Sequence, residues 1–359
     1  MNNAYVTAET PVTIIQKKLA RIEVLDVLRG IALLGIFLMN IEYFNRPLQQ
    51  FGDGIPASTK AIDYTIAWLT EIFVTGKFWV LFSLLFGMGF VVMRTQAQLD
   101  GRPFQALYLR RTIALLIFGL LHILALWSGD ILHSYALVAF VLMWLPVMST
   151  RASAMFGAGL YLLPASLLLI SSTIMGPLPA SDIEKYAAES IDNAAQALQA
   201  AKIYSSGAYG AVVQQRWLDF MHMLDYEFFV FISALGIFLI GASIMHSGRL
   251  LNLIANRNFF LKSLLVFGLL AACLIGLAQH YSGHKPMSPE RMMNQALTTI
   301  GNLPLSLFYL STIAYLMSFT FGSKILGVLA PAGKMALTNY LMQSLIGSLV
   351  FYGYGLGLW

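Results

Sequence analysis

The chain has 359 residues, 58% of them hydrophobic and 11% charged, with a mean hydropathy of +0.71. Soluble domains carry about 25% charged residues, so this composition excludes a soluble enzyme and describes an integral membrane protein in a lipid bilayer. The net charge of +5 does not indicate a nucleic-acid partner, because the basic residues sort to one side of a membrane instead of forming a patch.

Apolar runs of membrane-spanning length predict an all-α, polytopic helix bundle of about nine spans, at 25–44, 70–93, 111–127, 131–147, 154–175, 226–245, 259–278, 300–320 and 335–357. Residues 1–24 form an N-terminal tail and 25–359 the membrane domain. The first span, Arg21 to Asn40, contains Asp26, Arg29 and Asn40. Charges in a membrane helix cost about 2.5–3.5 kcal/mol each on insertion scales. No small-residue cleavage site follows this span, so it reads as a retained signal anchor. Ala61 to Val74 reads as an interfacial amphipathic helix, broken at Gly76 before the second span. A tight turn through Ser128, Gly129 and Asp130 joins the third and fourth spans.

The longest polar segment, 177–225, opens on a capping-box pattern from Ser181 to Glu184. An Ala-rich helix ending near Gly207 and a second short helix from Val212 to Leu224 are predicted there. With the N-terminus inside, inner segments hold thirteen Lys and Arg, including Lys17, Lys18 and Arg21, against seven outside, including Arg216 and Lys285. The positive-inside rule then places the N-terminus on the cytoplasmic side and 177–225 outside.

Four groups of residues have chemistry to offer. Asp26 and Arg29 are three apart and share a helix face. They form either a structural ion pair or an anion site in which Asp26 steadies a guanidinium that binds phosphate in a bidentate manner. His122, Asp130 and His133 gather at the outer end of one hairpin. A carboxylate that orients an imidazole suits general-base work; helix capping and span bridging are the plain alternatives. No Cys or His cluster has metal-ligand spacing, and Cys273 is the single cysteine. Lys77 follows the Gly76 break and either lines a cavity or snorkels. Gly333 to Tyr340, with Asn339, begins the last span and either presents free N–H groups to an anion or simply starts a helix.

Taken in order, five motifs resemble the YeiB family of bacterial inner-membrane proteins. They are Leu25-Asp-Val-Leu-Arg-Gly-Ile-Ala-Leu-Leu-Gly-Ile ending in Asn40; Lys77-Phe with Leu85-Phe-Gly-Met-Gly; Gly119-Leu-Leu-His122; Gly129-Asp-Ile-Leu with Tyr135-Ala; and Gly333-Lys-Met-Ala-Leu-Thr-Asn-Tyr-Leu with Gln343-Ser. The opening motif is also similar to a wider superfamily of transmembrane acyltransferases. That resemblance implies acyl-CoA as co-substrate, no bound cofactor, and an extracytoplasmic sugar or lipid acceptor. It places Asp26, Arg29 and Asn40 in the shared first helix and makes Asp130 and Tyr135 part of a later motif. Residues 41–70 contain no histidine where the lysosomal member of that superfamily keeps its base, so His122 with Asp130 is the implied catalytic pair. A small-solute transporter and a non-catalytic membrane protein are the alternatives. Against the family pattern, a tenth span is expected beyond the ending at Trp359.

Overall fold

The computed structural model describes residues 22–50, 60–174, 180–282 and 288–359. Lys17, Lys18, Arg21, Lys285 and the side chain of Ser181, used above for topology and capping, lie outside the described residues.

Among the described residues every regular element is helical. In chain order these are α1 (Glu23–Asn40), α2 (Ala61–Phe73), α3 (Lys77–Leu99), α4 (Phe104–Ala125), α5 (Leu132–Trp144), α6 (Thr150–Ile174), α7 (Ala180–Ser206), α8 (Tyr209–His246), α9 (Arg257–His280), α10 (Pro289–Met317), α11 (Thr320–Leu326), α12 (Ala330–Lys334) and α13 (Ala336–Phe351), with short 3-10 turns between some of them. Seven segments are long and apolar enough to cross a membrane, and α5 and α13 are shorter apolar helices. Together they match the expected count of about nine.

The core is shared by α1, α3, α5, α8 and α10, with Val27, Leu28, Leu81, Leu84, Val138, Phe238 and Ala314 buried together. The broken second segment is as expected. Gly76 adopts φ 81° between α2 and α3, a left-handed conformation that favours glycine. Lys77 then folds back, and its Nζ donates to the Glu71 carbonyl at 2.6 Å.

Several boundaries depart from the sequence reading; α10 begins at Pro289, eleven residues before the expected 300, and α4 at Phe104, seven before 111. Residues 212–245 are not a short helix followed by a span; α8 runs unbroken for 38 residues, about 57 Å at 1.5 Å per residue. No glycine or proline lies between Gly210 and Gly236 to stop it. The fourth span ends at Trp144, not 147. Leu145 precedes Pro146 and is extended (ψ 142°), because the proline ring disfavours the helical conformation before it. The last helix ends at Phe351, not 357, and Tyr352 is extended. The tail then turns onto α7, where Gly353 N–H donates to the Tyr204 carbonyl at 2.8 Å. There Tyr352 and Trp359 pack on Tyr204.

The polar segment is helical, as expected, and part of it packs onto the bundle. Arg216, counted above among the outer charges, is fully buried. Its guanidinium donates to the carbonyls of Leu124 (3.2 Å) and Ala125 (2.9 Å), the C-terminal end of α4, and to the Tyr354 hydroxyl (2.6 Å). Tyr209, Tyr352 and Tyr354 surround it with ring faces. Beside it Asp219 accepts from Tyr204 (2.5 Å), Gln215 (2.8 Å) and Gln49 (3.0 Å). A cation that meets the carbonyl end of a helix is favourably placed in the helix dipole. These bonds tie the lid of α7, α8 and the tail to the hairpin that carries His122.

Candidate functional site

Two polar regions occupy opposite ends of α4. At its N-terminal end a pocket of ≈ 320 Å³ is lined by Arg29, Gly89, Met93, Gln96, Arg102 and Arg111, among others. Arg29 pairs with Asp26 at 3.0 Å, as the i,i+3 spacing requires. Arg102 pairs with Asp100. Arg111 touches only the Met93 sulfur, at 3.7 Å, and makes no ion pair among the described residues. Three guanidiniums against two carboxylates leave a cationic, partly open site, the setting in which Arg binds phosphate or carboxylate with paired N–H groups.

At the other end Asp130 is the hub. Its Oδ1 lies 3.0 Å from His122 Nδ1 and its Oδ2 lies 3.0 Å from His133 Nδ1. Oδ2 also accepts from the His133 backbone N–H at 2.8 Å. Burial pushes the Asp130 carboxyl up, but the adjoining His122 and His133 outweigh this and hold it below its ordinary pKa. The hairpin closes this tightly because position 119 is glycine; a Cβ there would sit 2.5 Å from the His133 nitrogen. Both His122 ring nitrogens are buried without an aligned hydrogen bond among the described residues; Nδ1 keeps its 3.0 Å approach to Asp130 Oδ1, and Nε2 has no partner. The Tyr340 ring, 5.0 Å away, packs over that imidazole.

The two ends are closer than opposite membrane faces. Arg111 and His122 are eleven residues apart on α4, three turns along one helix face and about 17 Å in rise. The hydrocarbon core is about 30 Å thick. The segment 330–340 touches both regions. Gly333 packs against the Asp26 carbonyl and Gly30, where a Cβ would collide with backbone. Seven residues later Tyr340 meets His122. Asn339 Nδ2 bridges the break between α12 and α13 by donating to the Ala332 carbonyl at 2.9 Å.

The remaining predicted site residues fall elsewhere. Asn40 is buried at the C-terminal end of α1. Lys77, 1% exposed, caps α2 and is outside the pocket lining. Tyr135 is wholly buried; it hydrogen-bonds Ser83 at 2.6 Å and stacks among Phe82, Phe86 and Phe238. These contacts give both residues a packing role. Sequence reasoning missed Arg102, Arg111, Gln96 and Glu227. The eleven-residue spacing from Arg111 to His122 was a usable signal. Glu227, whose Oε1 lies 3.5 Å from His133 Nε2, arrives from α8 and had no local signal.

Fold and site together define a polytopic membrane helix bundle with a cationic pocket at one end and a buried histidine–carboxylate cluster at the other. Residues 244–359 match the family described as "Protein of unknown function (DUF418)". The chain is 33% identical to "Uncharacterized protein YxaH" of Bacillus subtilis (strain 168) over 354 residues, covering 94% of this chain and 83% of that protein. It is 31% identical to "Uncharacterized protein YeiB" of Escherichia coli (strain K12) over 360 residues, covering 92% of this chain and 84% of that protein. The chain belongs to this YeiB-like family.

Proposed function

We propose that the protein is an inner-membrane acyltransferase, with its N-terminus in the cytoplasm, that moves an acyl group from cytosolic acyl-CoA to a sugar or lipid acceptor on the outer side. The observation that carries this reading is the juxtaposition on α4 of the arginine pocket and the Asp130-oriented His122, about 17 Å apart in helix rise. Arg29, Arg102 and Arg111 hold the phosphates of acyl-CoA, with Asp26 fixing Arg29. The acyl arm reaches between the helices toward His122. His122 Nε2 takes the proton of the acceptor hydroxyl or amine as it attacks the thioester carbonyl. The acyl–oxygen or acyl–nitrogen bond forms, the carbon–sulfur bond breaks, and the CoA thiolate leaves to the cytosolic side, where it is protonated. Asp130 keeps the His122 ring oriented and stabilises its charged form.

The test is incubation of the purified protein with radiolabelled acetyl-CoA and a membrane sugar or lipid extract. Label is expected in an acceptor, with Arg111→Gln raising KM for acetyl-CoA and Asp130→Asn lowering kcat. If no label is bound or transferred, and proteoliposome solute uptake responds to Asp26→Asn and Arg29→Gln, the protein is a transporter and the enzyme reading fails.

A further inference from the structure

The polar cluster at the His122 end does not stop at the residues the chemistry above uses. It continues through His133 to Glu227, a residue on a different helix with no part in the transfer step. His122 belongs to α4, Asp130 to the turn, His133 to α5 and Glu227 to α8. The links measure 3.0 Å, 3.0 Å and 3.5 Å. Side-chain exposure rises along the same line, from 0% at His122 and Asp130 to 8% at His133 and 19% at Glu227. Exposed ionisable residues, His222 and Asp225, lie five and two residues before Glu227 on α8. Four ionisable groups in series, from wholly buried to partly exposed, are costly to place in an apolar bundle unless fully paired. His122 Nε2, the far end of the chain, is buried with no partner among the described residues, and the His122 Nδ1–Asp130 Oδ1 and His133 Nε2–Glu227 Oε1 links are close ion-pair contacts without hydrogen-bond alignment.

We infer that these four side chains form a proton path, with Glu227 as its outlet to the aqueous phase. A proton taken at His122 Nε2 is balanced by release of the Nδ1 proton to Asp130 Oδ1. The Asp130 carboxyl then turns to carry that same proton to His133 Nδ1 and returns to the carboxylate, and His133 Nε2 gives its own proton to Glu227 Oε1. Each hop breaks one N–H or O–H bond and forms one, and no electron changes hands. Asp130 suits the middle position because each of its oxygens faces a different imidazole. The groups that face the path are the Tyr340 hydroxyl from α13, the Ser134 hydroxyl 3.3 Å from His133 Nε2, and the apolar edge of Phe220 against His133. The proposed function supplies the use, removal of the acceptor's proton; the path itself is a property of the four side chains and is testable without substrate.

The experiment uses the full chain in lipid nanodiscs, labelled with ¹⁵N-histidine, and measures the exchange of the His122 ring N–H with solvent. The His122 signal is assigned by its loss in His122→Gln. Glu227→Gln is expected to slow this exchange by about tenfold, and Glu227→Asp to restore part of it. Dicyclohexylcarbodiimide, which modifies carboxyls in apolar surroundings, is added to the folded wild-type protein as a second arm. Coupling at Glu227 is expected to slow the exchange to the same extent. An exchange rate unchanged by Glu227→Gln in a protein with an intact amide spectrum, or by carbodiimide coupling at Glu227, overturns the path. A wild-type protein that exchanges as expected but transfers no acyl group keeps the path and removes the acyltransferase reading.

Discussion

At the Arg29 end, charged side chains line an open pocket, and Arg29 and Arg102 keep carboxylate partners beside them. At the His122 end, Asp130 and His122 are sealed from solvent, and the partner that partly emerges is Glu227. Both are polar sites in an apolar bundle, yet they meet the cost of burial differently. The first remains part of the surface, where a guanidinium keeps water and salt can screen it. The second is withdrawn from water, so its charges lean on one another, and His122 Nε2 is left without a partner among the described residues. An open cationic site suits a diffusing anion, and a dry, pre-oriented cluster suits proton transfer. The contrast yields experiments that should separate the two ends.

The largest effect belongs to the dry end. Asp130→Asn removes the carboxylate shared by both imidazoles and is expected to lower kcat for acyl transfer by about 10²–10⁴-fold, leaving KM for acyl-CoA unchanged. A shift in KM instead would mean that the ends are not separable. Next comes the element that touches both. Gly333→Ala forces a Cβ into the Asp26 carbonyl and is expected to cost about 1–3 kcal/mol, read as a lower midpoint of thermal unfolding in detergent. Preserved stability with both kinetic constants intact would dissolve the link between the ends.

Arg111→Gln tests the open end alone. Losing one charged contact of about 1.5–3 kcal/mol raises KM for acyl-CoA roughly 10- to 100-fold, with an effect that shrinks as salt rises; an unaltered KM would remove Arg111 from the site. Asn339→Ala removes one side-chain hydrogen bond to the Ala332 carbonyl and is expected to cost about 1 kcal/mol, seen in thermal unfolding. The smallest effect is one of pH. Because folding depresses the Asp130 pKa, its contribution to stability is present above the unfolded value of about 3.9 and is lost as pH falls through the lower folded value. Acid unfolding curves of wild type and Asp130→Asn should converge below that point, and parallel curves would contradict it.

Much of the bundle was readable from the sequence because lipid imposes long apolar runs and glycine marks the breaks. The helices of 61–99 and the Gly76 interruption follow from those signals alone. The Asp26–Arg29 pair and the His122–Asp130–His133 cluster were also legible, since each lies within one helix face or one tight hairpin. Arg216 and Glu227 were not. Both belong to α8, and their partners, the carbonyls of α4 and the ring of His133, come from distant parts of the chain. A polar stretch with exposed and buried residues interleaved resembles a solvated loop until its tertiary partners are known. Tyr135 and Lys77 show another limit: sequence motifs offered them as site residues, but no spacing told that Tyr135 lies among aromatic rings or that Lys77 caps a carbonyl.

The glycines along α8 have a mechanical consequence. Gly236 meets Gly157 of α6, where a Cβ on either would come within 2.6 Å of the other's carbonyl oxygen. On another side Gly241 and Gly87 bring α8 equally close to α3. Backbones in direct contact have no layer of rotatable side chains between them to absorb a slide. The three helices form a stiff plate, and any widening of the bundle for an acyl arm has to come from helices whose contacts are made by side chains. The pocket has one wall on that plate, at Gly89 and Met93 of α3, and another on α4 at Arg111. Motion of α4 against the fixed plate would change the pocket's width and pivot at its far end, where Arg216 fastens the helix to α8 of that plate.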